Sequence, residues 1–150
     1  MNWMHDLITN QFLLTSLSSW FFAQISKVFI NAWIQKKIVW ERLVGDGGMP
    51  SGHSATVSSL AAFAALSFGA GSFQFAVCAI LAVIVCHDAM GVRQETGKQA
   101  MMLNEIIAIL ESKDLPEVKL KELVGHTPLQ VLAGILLGIG NAFLMYFVIL

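Results

Sequence analysis

Two histidines, His53 and His126, stand just ahead of charge-free apolar runs, where membrane helices are expected to begin. The first closes a Pro-Ser-Gly-His string at 50–53, and the second opens a His-Thr-Pro string at 126–128. A helix N-terminus presents unpaired backbone N–H groups and the positive end of a dipole, so it binds anions readily. A histidine held there can attack phosphorus or protonate a leaving oxygen. The pattern therefore predicts a phosphate site at one face of a membrane.

Polar and cationic residues near these helix starts could complete the site. Ser51 and Gly52 begin the helix that carries His53. Arg93 and Lys27 would surround a phosphoryl group with donors and stabilise charge that develops in a transition state. Lys27 falls within an apolar span, where an ionisable side chain is costly and usually functional, although a lysine near a span end can also extend to the interface.

A further question is which group would supply negative charge to the second histidine. Gln130 lies four residues after His126 and shares its face if the helix has begun there. Its amide can orient the imidazole but supplies no full charge, and we hypothesise that Asp88 supplies that charge. Arg93 and Lys98 follow Asp88, and both have an alternative interpretation as ordinary basic residues of a cytoplasmic loop.

The composition is that of an integral membrane protein. The 150 residues are 56% hydrophobic and only 13% charged, with a mean hydropathy of +0.69. Soluble domains carry about a quarter charged residues. No charged side chain occurs over 7–26, 54–86 or 127–150, and each run could cross a hydrocarbon core. The N-terminus lacks the basic start of a cleavable signal.

The middle run is too long for one span, since a helix over 54–86 would measure about 50 Å. Glycines within 69–72 supply the backbone freedom for a reversal, which predicts helices over about 51–69 and 73–93. Four spans then result. The basic residues of the first and third loops face one side, which we expect to be cytoplasmic.

The third loop carries an apolar stripe at helical spacing, formed by Met102, Leu103, Ile106, Ile107 and Leu110. This stripe predicts a helix that lies on the membrane surface or continues the third span. A second short helix is expected from Asp114 to Gly125. Cys78 and Cys86 are assigned to packing. We expect a single domain over 1–150.

Three strings make the chain resemble a known family. Pro50-Ser51-Gly52-His53 is similar to the central motif of the type 2 phosphatidic acid phosphatase superfamily, which includes vanadium-dependent haloperoxidases. The small divergent bacterial branch of that superfamily is the closer match. Its resemblance rests on the residues 47–55, then 88–93 with 97–100 and 103–104, then 125–128 with Gly134 and Gly138.

The resemblance implies roles for individual residues. His53 is similar to the general acid, His126 to the nucleophile, and Arg93 to the arginine that precedes that nucleophile. Lys27 resembles the lysine of the first motif, and Lys36 is the nearest candidate for its partner arginine. Here Arg93 and His126 lie 33 positions apart, so the match assumes an insertion. Gln130 stands where the superfamily places an acid.

These observations predict an all-α integral membrane bundle of four transmembrane helices, with a short amphipathic helical segment in the third loop. By resemblance, we expect a lipid phosphatase that hydrolyses a phosphomonoester or diphosphate through a phosphohistidine. We expect it in the bacterial cytoplasmic membrane, with its site at the cytoplasmic face. The expected partners are a lipid phosphate and the bilayer, with no nucleic acid, cofactor or metal, and homo-oligomerisation stays open.

Two other function classes fit the same sequence. A carrier or scramblase would bind phospholipid headgroups without turnover, with Gln130 reflecting lost catalysis. A structural membrane subunit would partner a larger complex. Phosphate release distinguishes the phosphatase from both alternatives, and headgroup-dependent thermal stabilisation distinguishes the carrier from the structural subunit.

Overall fold

The computed structural model describes residues 2–36, 48–110, 120 and 125–149, with the side chains of 34–35, 92–94, 109–110 and 149 outside the description. Every regular element in these ranges is helical. The helices are α1 (Trp3–Ile8), α2 (Gln11–Gln35), α3 (Gly52–Phe68), α4 (Phe73–Met90), α5 (Val92–Leu110) and α6 (Pro128–Leu144), and a π-helical turn, Met145–Ile149, follows α6.

Among the described residues, three helical stretches are long and apolar enough to cross a membrane, namely Gln11–Trp33, Phe73–Ala108 and Pro128–Val148. The fourth expected span corresponds to α3, which has 17 residues and measures about 26 Å. This is slightly less than the roughly 30 Å hydrocarbon core. The described part of this membrane protein is therefore all-helical, with three stretches of spanning length and a shorter α3.

The predicted break between the two middle helices is present. Gly69 ends α3 with a φ of 83°, a left-handed conformation that favours glycine. The side chain of Ser72 caps α4 by accepting a hydrogen bond from the Phe75 N–H at 3.2 Å. The reversal over 69–72 thus follows from local sequence signals.

Helix α3 lies at the centre of the bundle and packs against α2, α4 and α6. The ring of Phe12 near the start of α2 meets Phe63 at 5.0 Å and Phe68 at 5.4 Å, near the end of α3. Farther along α2, Trp20 approaches Gly52 at the start of α3. The two helices are therefore antiparallel, and residues after Trp20 lie beside or beyond the N-terminus of α3.

Two glycines let α6 approach α3 closely. A Cβ added at Gly134 would overlap the Ser51 carbonyl oxygen, and one at Gly138 would overlap that of Ala55. Small residues allow such close backbone contacts between membrane helices. This contact fixes the start of α3 against the first turns of α6.

We expect Gly134→Ala to destabilise the protein by about 1–3 kcal/mol, because the new Cβ forces two packed helices apart. Gly140→Ala is the matched control, since its Cβ would meet nothing within 4 Å. Thermal unfolding of the purified protein in detergent measures the difference. Equal melting temperatures for the two variants would show that the close approach is not needed.

A buried polar contact joins α2 to α6. Asn141 Nδ2 lies within hydrogen-bond distance of three acceptors, the Thr15 carbonyl oxygen at 3.1 Å, Ser18 Oγ at 2.9 Å and Ser19 Oγ at 2.7 Å, which share its two N–H donors. Polar side chains that meet within a membrane stabilise helix association by hydrogen bonding.

The described residues cover only part of the third loop, for which two helical segments were predicted. Helix α5 exists and exposes Met102, Leu103 and Ile106 of the apolar stripe. The side chain of Asn104 exchanges two hydrogen bonds of 2.9 Å with the backbone of Leu120. The short helix expected from Asp114 to Gly125 falls largely on residues outside the described ranges.

The two cysteines are free thiols in the described structure. Cys86 is buried and packs with Ala89 and Val131, which agrees with the packing role that was expected.

Candidate active site

The N-terminus of α3 is formed by buried serines. Ser51 caps the helix, because its Oγ accepts hydrogen bonds from the Ser54 N–H at 3.3 Å and from Ser54 Oγ at 3.0 Å. The Ser51 N–H donates to the Gln130 carbonyl oxygen at 2.9 Å. The start of α3, and His53 with it, is thereby attached to the first turn of α6.

The N-terminus of α6 is a capping box. The Gln130 N–H donates to Thr127 Oγ1 at 3.4 Å, and the Thr127 N–H donates to Gln130 Oε1 at 3.1 Å. Pro128 occupies the first helical turn, where its missing N–H costs nothing. A helix start was expected here, and the Thr-x-x-Gln pattern of the capping box is a further sequence signal for it.

The capping box also determines the tautomer of the neighbouring histidine. A backbone N–H can only donate, so the group facing Thr127 must be the oxygen of the Gln130 amide. That same Oε1 lies 3.3 Å from His126 Nδ1. An oxygen can only accept, and the contact is therefore made by a protonated Nδ1. In the neutral ring, the lone pair then belongs to Nε2.

His126 is bonded to α4 and α6 and is only 3% exposed. Its backbone N–H donates to the Ala89 carbonyl oxygen at 3.0 Å, which attaches it to the last turn of α4. The ring of His53, on the first turn of α3, is half-buried, and its centroid lies 6.2 Å from that of His126. The two histidines that the sequence singled out are thus brought together at two helix starts.

The polar face of α2 borders this pair. From the position of a Cβ on Gly52, Trp20 Cδ1 lies at 3.4 Å and the carboxamide carbon of Gln24 at 3.9 Å. Lys27 is one turn farther along α2 and only 5% exposed. Because α2 and α3 are antiparallel, Lys27 lies beside or beyond the N-terminus of α3, at the end of the bundle that holds both histidines.

The other predicted residues differ in their surroundings. Asp88 is half-buried in the last turn of α4, next to the Ala89 carbonyl that binds His126. Arg93 lies in the first turn of α5, and its side chain is outside the described part.

Lys36 is exposed at the C-cap of α2. Lys98 forms an exposed ion pair of 2.6 Å with Glu95, an arrangement typical of a solvated helix face.

Sequence reasoning missed Gln24 and Asn31, which extend the polar face around Lys27. Their spacing in the sequence could have indicated this, because residues three and four positions from Lys27 share its helix face. Within the described ranges, no group of three His, Cys, Asp or Glu side chains is placed to hold a metal ion.

A family model for the Divergent PAP2 family matches residues 8–141. The chain belongs to this family. The chain is also 43% identical over 146 residues to the uncharacterized membrane protein YuiD of Bacillus subtilis (strain 168), and the match covers 89% of this chain and 92% of that protein. No solved structure matches it significantly. Membership in the Divergent PAP2 family, predicted from the three motif strings, is confirmed, and every candidate site residue falls within the matched range.

Proposed function

We propose that the protein is a membrane phosphatase that hydrolyses a phosphomonoester or diphosphate on a lipid through a phosphohistidine. The observation that carries this proposal is the pair of histidines at two helix starts, with ring centroids 6.2 Å apart. One phosphoryl group between the rings can meet a nucleophile on one side and a proton donor on the other. Membership in the Divergent PAP2 family supports the same reaction class.

The first step forms a bond between His126 Nε2 and phosphorus and breaks the bond from phosphorus to the leaving oxygen. Protonated His53 gives its proton to that oxygen, so the alcohol leaves neutral. The contact between His126 Nδ1 and Gln130 Oε1 supports this assignment, because it directs the proton to Nδ1 and the lone pair to Nε2.

The second step regenerates the enzyme. His53, now neutral, accepts a proton from water as the water oxygen attacks phosphorus. The bond from phosphorus to His126 breaks, and inorganic phosphate leaves. Backbone N–H groups at the start of α3, with Ser51 and Gly52, would stabilise the phosphoryl oxygens. Lys27 and Arg93 would add positive charge, with Lys36 and Lys98 as further phosphate-binding candidates from the sequence.

An apolar groove supports a lipid as the substrate. It has a volume of about 380 Å³ and runs between α3, α4 and α6. Cys86 lines one part of it and lies one turn before Ala89, whose carbonyl binds His126. An acyl chain in this groove would place its phosphate near the histidine pair.

The carrier alternative also has a supporting observation, which is the neutral Gln130 amide beside His126. The deciding experiment measures inorganic phosphate released from phosphatidic acid, phosphatidylglycerophosphate and polyprenyl diphosphate by the purified protein. We expect release from at least one lipid, with vanadate as an inhibitor that mimics the transition state. No release from any lipid, combined with headgroup-dependent thermal stabilisation, would favour the carrier.

We propose that α3 is a fourth span, that the chain forms one domain over 1–150, and that the site faces the cytoplasm of a bacterial inner membrane. Loop charge supports this orientation, because basic residues are concentrated in the first and third loops.

Cysteine labelling of intact cells tests the orientation. In a chain with Cys78 and Cys86 replaced, Gly71→Cys should react with an impermeant thiol reagent from outside, because Gly71 is exposed in the hairpin after α3. Lys36→Cys, exposed at the opposite end of α2, should react only after the membrane is permeabilised. The reverse labelling pattern would move the site to the outer face.

A further inference from the structure

Three polar side chains form a row along one face of α2, and we name Gln24, Lys27 and Asn31 the α2 row. Spacings of three and four residues place them on one face of the helix. Gln24 is 7% exposed and Lys27 is 5% exposed, while Asn31 is half-buried. A buried polar row on a spanning helix is unusual, because the bilayer core offers no water to polar groups.

Two amide atoms of the α2 row are shielded and have no hydrogen-bond partner in the described part of the chain. They are Gln24 Oε1 and Asn31 Nδ2. Buried polar atoms are nearly always hydrogen-bonded, so each exception calls for an explanation. Two other unpartnered atoms, Thr15 Oγ1 and Asn141 Oδ1, belong to the contact between α2 and α6. For Gln24 Oε1 and Asn31 Nδ2, no such contact is found within the described ranges.

The α2 row borders the candidate active site. The carboxamide carbon of Gln24 lies 3.9 Å from the position of a Cβ on Gly52, the residue that precedes His53. Asn31 lies two turns farther along α2, about 10 Å in rise. The row therefore runs from the start of α3 outwards past Lys27, alongside the proposed path of the phosphate ester.

The chemistry of the two amides indicates what they bind. Gln24 Oε1 is an acceptor, so it repels phosphate oxygens and needs a donor from the ligand. A cationic headgroup could donate, but Lys27 stands next to Gln24 and disfavours a second positive charge. A hydroxyl group is neutral and can donate to Gln24. Its oxygen, or a phosphate oxygen, can accept from Asn31 Nδ2.

We propose that the α2 row is a headgroup-binding subsite. The preferred substrate then carries a free hydroxyl group on the carbon adjacent to the one that bears the phosphate ester. In this assignment Gln24 and Asn31 are specificity-determining residues, and the inference rests on the proposed function for the phosphate site beside them. A phosphate ester without that hydroxyl leaves the amide of Gln24 unpaired when it binds. Sites built to bond a hydroxyl reject analogues that lack one.

The test uses two soluble probes that differ in one hydroxyl, 2-hydroxypropyl phosphate and n-propyl phosphate. Each is added to the purified full-length protein, and binding is read as the rise in melting temperature over a concentration series. We expect at least about tenfold tighter binding of the hydroxyl-bearing probe. Gln24→Met, which keeps the side-chain size, and Asn31→Leu should reduce this preference to less than about threefold. Gln74→Met is the matched control, because Gln74 is exposed on α4.

Each result decides the proposal. A hydroxyl preference that is lost in Gln24→Met and retained in Gln74→Met supports it. Equal binding of the two probes by the native chain, binding of neither probe, or a preference that survives both α2 variants would overturn it. Phosphate release from lipids is measured separately. A catalytically active protein without hydroxyl preference would therefore overturn the subsite alone, whereas hydroxyl-dependent binding without turnover would overturn the phosphatase alone.

Discussion

His126→Ala is expected to reduce phosphate release from a lipid phosphate by at least about a hundredfold, with the protein still folded. His126 is only 3% exposed, and its Nδ1 lies 3.3 Å from Gln130 Oε1, which leaves Nε2 as the nucleophile in the proposed mechanism. Removal of a group that takes part directly in the chemistry usually costs two or more powers of ten. The measurement is the initial rate of phosphate release in mixed micelles. His87→Ala serves as the control, because His87 is exposed at the end of α4.

The partner histidine should show a dependence on the leaving group. His53→Ala is expected to lose at least about a hundredfold with an alkyl phosphate, whose leaving alcohol needs a proton. With an aryl phosphate such as p-nitrophenyl phosphate, the loss should be much smaller, since that group leaves without one. His126→Ala should lose activity with both substrates. An equal loss with both substrates in His53→Ala would remove the acid role from His53.

The second large effect concerns the charge near His126. Asp88→Asn is expected to reduce turnover at least about tenfold more than Gln130→Ala, because only the carboxylate can stabilise a positive imidazole electrostatically. Gln130→Glu should be neutral or mildly activating, since a carboxylate oxygen still accepts the hydrogen bonds from Thr127 and His126. Steady-state rates of the three variants give the comparison.

A contrary outcome would change the assignment of these residues. If Asp88→Asn is harmless and Gln130→Glu raises turnover more than about tenfold, the charge is missing in the natural protein. Asp88 would then be structural, and the native chain would be a weakened phosphatase. Both substitutions retain side-chain size, so a loss of folding would not explain a difference between them.

The features that could be predicted from the sequence are those set by local interactions. Ser51 and Thr127 begin helices because a hydroxyl caps N–H groups two or three residues later, and such signals need no tertiary contact. Gly69 marks the end of α3 for a similarly local reason, its positive φ. The histidine pair could be anticipated because both residues adjoin these helix starts.

Contacts between distant parts of the chain were beyond the same reasoning. Trp20 meets Gly52, and Asn141 meets Ser19, only after the helices have packed. The role of a polar side chain within an apolar run, such as Gln24, cannot be inferred from the sequence, because that role depends on its burial and its partners. The fourth expected span, α3, stays a prediction, because this helix has 17 residues and its buried positions include Ser54, Ser58 and Ser59.

The most direct measurement of the central claim is to trap the phosphoenzyme. The protein is mixed with a lipid whose phosphate is radiolabelled, quenched within milliseconds in alkali, and mapped by mass spectrometry. We expect an acid-labile, alkali-stable phosphoryl group on His126 that appears before free phosphate and is absent from His126→Ala. Phosphate released by the native protein without labelling of His126 during turnover would contradict the nucleophilic role and, with it, the proposed mechanism.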